Sequence, residues 1–577
     1  MELTRGPDGF DIDELLSISR QYLGILHSVV ESLLEEQRAS AHSLAPLVDS
    51  YRAVALLWSL AELLFVQPQG GSVAVDLSNW ARLNFGKVDE MAAQLLDHCE
   101  STAGAKPETH QLYWRIIQLY TLFGRTEDAR QLLQLHSRRF DSTFRSCDEL
   151  LRKIPIDALQ RGETSEWAVW RAECGRRVAE KHYIAAPEVE QIVKILFGDE
   201  EFLQSNLRQW FDHWWEAVVP LVLYQYAGVG VDSLADCATE VASHFGVSAA
   251  QRSQQQQGDE SGAVGGLDEI LLSLFEVDAV QALRLMAGSF RDWWLAAHLV
   301  DLLQKAGLDQ TALRLDDGRS RCLDDGDGPL DLRRHLLLEY GASLMQLPNF
   351  WQQGATYLES CSTRGLETLK RCLERVPIDS ETTGAKVIQV ARRIGQDDLI
   401  SSVCRLMSLR ALRDEGNVNS ALSWAVKSKD GGLVGAVAER ALLSHRGEDF
   451  LRSLPLLDNL GESLLLSPLL ICLSKYRQFH QLKQAGETAE AAKMLSQLIC
   501  SRAVPRPLWV SLLVEAARLM AGVGELVFDR DSTYGMLNVL ECIDVETRMG
   551  WPQFGATETL PDVRLALVRN LALAITK

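Results

Sequence analysis

The sequence predicts an all-α protein, an irregular α-solenoid built from stacked helical hairpins. Three observations carry that prediction. Residues 457–520 read as three amphipathic helices in succession. Glycine-punctuated helix pairs of the same kind recur along the chain, and convincing strands are absent.

The stretch at 457–520 sets the pattern. Leu469, Leu473, Tyr476, Phe479 and Leu482 recur at helical spacing before Gly486 interrupts them. Thr488 is expected to cap the next helix, Glu490 puts negative charge in its first turn, and Ala491, Leu495 and Leu498 resume the apolar stripe. Pro505 and Pro507 close that helix, and a third begins at Trp509. Each helix has one apolar face that it cannot bury alone, so stacking on neighbours is the physical solution.

In chain order, Leu15, Ile18, Tyr22, Ile25, Val29 and Leu33 mark a first helix. Leu47, Tyr51, Val54, Trp58, Ala61 and Phe65 mark a second, ended by a turn at 67–73. A hairpin follows at 112–136, with Gly124 ending one helix and Thr126 expected to cap the other. Variants recur around Gly307, Gly395 and Gly416. The intervals are irregular, which argues against a repeat of fixed period. A polar, glycine-rich segment at about 248–266 is expected to be a disordered insert, and an acidic loop is expected at 316–329.

Composition narrows the function. With 78 acidic against 58 basic residues the formal charge is −20, and such a surface repels phosphate backbones. The cluster Arg138, Arg139, Arg145, Arg152 and Lys153 is diluted by Asp141, Asp148 and Glu149 and reads as a solvated helix face, so no direct nucleic-acid partner is expected. Scattered cysteines without a Cys-x-x-Cys pair suit reduced thiols of a cytosolic or nuclear protein. The most apolar run, 217–224, is too short to span a bilayer.

Catalytic and metal motifs do not emerge. The acidic loop lacks the ligand spacing of an EF-hand, and Asp397–Asp398 lacks a third carboxylate and suits a helix N-terminus. No Walker A sequence, dinucleotide fingerprint or nucleophile elbow occurs. No catalytic, cofactor-binding or metal-binding residue is therefore assigned. Trp210, Trp214, Trp215, Trp293 and Trp294 fit either core packing or a ligand cage; core is favoured because Trp210 and Trp214 fall at i, i+4 of an expected single helix.

Five segments carry a resemblance: DWWLAAHLVDLL (292–303), ALSWAVKSKD (421–430), LDNLGESLLLS (457–467), KYRQFH (475–480) and LVRNLALAI (567–575). Their ordered succession resembles the nucleoporin-85 family, scaffold subunits of the Y-shaped outer-ring complex of the nuclear pore. The resemblance implies a solenoid that makes a U-turn, like vesicle-coat scaffold proteins. It implies residues 1–395 as trunk and crown and 396–577 as a C-terminal tail module. It implies a structural, non-enzymatic subunit at the nuclear envelope that supports protein and mRNA transport, with other scaffold nucleoporins as partners. The alternative is a coat or lysosomal-membrane coat subunit of the same plan. Family members also carry N-terminal strands that complete a WD-repeat propeller partner. No β-rich segment precedes Ile12 here, so a fragment, a shortened chain or a different mode of holding the propeller is expected.

The same resemblance implies that the tail docks at the hub of the complex. Independently, Val563, Leu567, Leu571 and Ile575 fall at helical spacing in the last segment, with Pro561 at a first-turn position. Leu565, Ala566 and Val568 spread apolar surface around the same helix, and Arg564, Arg569 and Asn570 leave only a narrow polar strip. These four apolar residues are the candidate partner-binding set; closing the chain's own core is the alternative.

Overall fold

The computed structural model describes residues 12–39, 44–67, 72–101, 106–228, 230–247, 266–290, 293–307, 331–413, 417–444, 457, 459–522, 526–549 and 560–576. The expected insert at 248–266, apart from Gly266, lies outside the described residues. So do the acidic loop at 316–329, Gly416 and most of the turn at 67–73. Among the described residues there are 28 α-helices and no β-strand. The chain packs as two compact units, Met1–Leu347 with Thr356–Gly365, and Pro348–Ala355 with Leu366–Lys577.

The first unit runs through α1 (Ile12–Ala39), α2 (Ala45–Ala61), α3 (Val73–Asn84), α4 (Lys87–Ser101), α5 (Tyr113–Leu122), α6 (Thr126–Gln134), α7 (Ser142–Arg152) and α8 (Ile156–Gln160). It continues with α9 (Thr164–Ala179), α10 (Pro187–Phe197), α11 (Glu200–Trp210), α12 (Trp214–Tyr224) and α13 (Leu234–His244). Helices α14 (Leu267–Phe275), α15 (Ala279–Ser289), α16 (Trp294–Lys305) and α17 (Leu332–Met345) complete it. The chain doubles back inside this unit: α12 packs on α3, and α14 and α16 pack on α2. Where the return arm meets the start, Trp294 stacks on Trp58 with ring centroids 5.7 Å apart, and Tyr22 lies edge-on to Trp294. The Trp58 indole N–H donates to Ser19 Oγ at 2.9 Å, and Ser19 in turn donates to the buried Glu62 carboxylate at the head of a π-helical turn, Glu62–Val66. Helix α12 is buried on nearly all sides, which is where the most apolar run of the sequence went.

The boundary between the units falls in α18 (Trp351–Glu359) and α19 (Ser362–Leu373). The second unit proceeds by neighbours: α20 (Glu381–Arg393), α21 (Asp397–Arg413), α22 (Val418–Ser428), α23 (Gly431–Ser444), α24 (Pro468–Ala485), α25 (Thr488–Cys500), α26 (Trp509–Gly522), α27 (Arg530–Arg548) and α28 (Leu560–Thr576). From α20 to α26 each helix packs on the next, and the last helices also pack one step further, α25 on α27 and α26 on α28. Asp397 and Asp398 open α21, as a helix N-terminus favours.

The hairpin turns share one physical device. Gly124, Gly198, Gly395 and Gly486 all adopt the left-handed conformation. The following N–H reaches back to a carbonyl of the last turn: Arg125 to Tyr120 O at 2.8 Å, Glu487 to Leu482 O at 3.1 Å. This closure leaves a single residue between the glycine and the next helix, and that residue takes the cap position. Thr488 and Thr126 are consequently first helical residues and not side-chain caps, a correction to the sequence expectation. The first helix is also rotated from its expected phase: Leu15, Leu16, Leu26 and Val30 are buried while Ile25 points outward. Trp210 and Trp214 are both buried but end one helix and begin the next; they do not share one.

Candidate assembly surface on the C-terminal helices

Helix α28 is built as a two-faced element. Leu560, Val563, Leu567 and Asn570 form its buried stripe and pack with α26 and α27. Asn570 ties the stripe down: its amide donates to Phe528 O at 2.9 Å and Thr533 Oγ1 at 3.0 Å, and its carbonyl accepts from Val527 N at 3.3 Å. Both donors of this buried amide and its carbonyl oxygen are thus used for anchoring. Arg564 pairs with Asp544 of α27 at 2.5 Å.

At 100° per residue Leu565 and Val568 lie away from that stripe and Ile575 on its flank, exposed to 51%, 50% and 60%. Leu573 is exposed nearby, and Val545 of α27 and Met549 just after that helix are exposed as well. The four sequence candidates therefore divide. Val563 and Leu567 lie in this unit's own core, Leu571 is half-buried, and Ile575 is exposed. Sequence spacing found the helix and its core stripe but took Asn570 for solvent-facing. The available signal was its phase, since Asn570 falls three residues after Leu567 on the same face.

Deeper in the unit, Leu473, Phe479, Ala491, Leu495 and Leu498 are buried as their periodicity requires. Burial pushes the His480 imidazole below its ordinary range, Lys483 adds to the shift and Glu515 opposes it. In the first unit, two members of the expected basic cluster form local ion pairs: Arg138 with Asp141 at 2.8 Å, and Lys153 with Glu149 at 2.6 Å. No helix of the described residues is long and apolar enough to cross a membrane.

A stack of helical hairpins whose last helix presents apolar surface on both faces defines an α-solenoid scaffold. The chain matches the family model described as Nup85 Nucleoporin over residues 5–542. It is 31% identical to the nuclear pore complex protein Nup85 of Danio rerio, over 98% of this chain and 85% of the relative. The human Nup85 is 29% identical over 98% and 84%, and the Drosophila melanogaster Nup75 is 26% identical over 92% and 76%. The chain belongs to the Nup85 nucleoporin family. Membership points to a structural role and gives no support to the alternative of a coat subunit. The family match ends ahead of α28, while the zebrafish alignment takes in nearly the whole chain.

Proposed function

We propose that this chain is a non-enzymatic scaffold subunit of the nuclear pore outer ring, at the nuclear envelope, where it bridges other scaffold nucleoporins of the Y-shaped complex and so supports protein and mRNA transport. The observation that carries the assembly role is the exposed pair Leu565 and Val568, turned away from a buried stripe on the same helix, with Ile575 exposed on the flank. A helix whose outer side met only solvent would favour polar residues there. The residues from 396 onward form the tail module in this proposal, and α28 is its docking element. A WD-repeat propeller subunit is a second partner in this proposal. Neither role calls on catalysis: a scaffold works through area and shape complementarity.

The test separates face from core. Leu565→Asp and Val568→Asp should leave thermal unfolding close to wild type and abolish co-purification with the outer-ring hub subunits. Leu567→Asp should unfold the tail. Retained co-purification with both outer-face variants removes α28 as the docking element.

A further inference from the structure

A second site lies in the first unit, independent of the terminal helix. Helix α9, the end of α10 and the residues following α12 enclose a cleft of about 400 Å³. A neighbouring recess of about 530 Å³ shares Arg171 and Phe197 as walls. Gly198 shapes the boundary: its φ is +71°, and a Cβ there would come within 2.6 Å of Tyr224 O. The walls of the cleft are not satisfied internally. Trp167 is 4% exposed, and its indole Nε1 has no hydrogen-bond partner; the same is true of Gln225 Nε2 in the same wall. Arg171 donates to the carbonyls of Phe197 at 2.6 Å and Gly198 at 3.5 Å, and no carboxylate pairs with it among the described residues. Leaving buried donors unpaired is costly, so native folds seldom do it without a reason.

The lining of the cleft itself contains three kinds of donor and no acid, which favours a carboxylate, and Arg171 supplies the charge. The adjoining recess is lined by Asp199, Glu200 and Glu201. Those acids disfavour a multiply charged phosphate and favour a cation one step from the bound acid. Ala168, Ala172 and Phe197 give the wall between them a small-residue and aromatic surface that an extended backbone can lie against. We propose that this cleft docks a short segment of a partner protein, seating an acidic side chain against Trp167, Gln225 and Arg171 and a basic one against Asp199, Glu200 and Glu201. Seating requires the half-buried Gln225 side chain to turn aside, because both orphan nitrogens are closed to solvent without an occupant.

The test uses the full chain labelled with 5-fluorotryptophan, with Trp167→Phe assigning the Trp167 fluorine line. The probe is a short capped peptide with one glutamate followed by one lysine in an alanine–serine background. The Trp167 line should shift saturably, and binding should weaken at least about tenfold when glutamine replaces the glutamate or in Arg171→Gln, the scale of one charge-assisted hydrogen bond. Inorganic phosphate should leave the line in place. An unmoved line, or equal binding of the glutamine peptide, overturns the proposal.

Discussion

The two units solve the same burial problem in different ways. In the first, the return arm covers the opening helices, so Trp58 of α2 meets Trp294 of α16 and Trp210 donates to Gln118 of α5 at 3.0 Å. In the second, helices bury their stripes chiefly on the next one or two in sequence, with a core of leucine, valine and alanine such as Leu422, Val437 and Leu495. The difference sets how each unit should respond to damage. Long-range contacts close large loops, so losing one removes a cooperative unit. Nearest-neighbour stacks lose stability where they are cut.

The largest effect is expected at that long-range closure. Trp58→Ala should cost about 3–5 kcal/mol, the range for deleting a buried tryptophan. Hydrogen exchange should rise in α1–α3 and in α14–α16 together. Exposure confined to α1 and α2 would break the comparison, because the return arm would then stand without its anchor.

The second unit provides the contrast. Leu495→Ala should cost roughly 2–5 kcal/mol, and Ala491→Pro, past the first turn of α25, about 3 kcal/mol or more. In both cases loss of exchange protection should centre on α24–α27 and leave the first unit unchanged. Equal loss in α1–α16 would show that the units do not respond separately. Asn570→Ala should cost about 1–3 kcal/mol by stranding Phe528 O and its other partners. Its readout is early exchange in α28, with α20–α23 unaffected.

The smallest effect sharpens the comparison through pH. Burial lowers the imidazole affinity for protons at His136 in the first unit, with Arg138 adding to it and Glu108 opposing, and at His480 in the second. An unfolded histidine binds a proton below about pH 6.5. The folded ones do so only at lower pH, so the unfolded state binds more protons in that window. Stability should therefore fall as pH drops through 6.5 toward the depressed folded values. His480→Gln should flatten the slope for the second unit alone, as followed by exchange in α24.

Helix existence was legible because it depends on local periodicity and glycine punctuation: the hairpins at Gly124, Gly395 and Gly486 stand where the sequence places them. The core of the terminal helix at Val563 and Leu567 was likewise readable as a stripe. Phase and partner choice were not. Ile25 sits outside and Leu26 inside because a long helix in an uneven stack buries whichever side its neighbours cover. Thr488 lost its cap role to a turn one residue tighter than its sequence suggested. Asn570 is polar by composition yet buried, since an amide with three partners costs little to enclose. The orphan donors of Trp167 and Gln225 come from residues 58 positions apart, and no local pattern announces such a meeting. The sequence alone thus determined which segments are helical and where hairpins turn, because those follow from interactions a few residues long. The tertiary structure alone decided which faces are covered, because burial belongs to neighbours that the chain brings from far away.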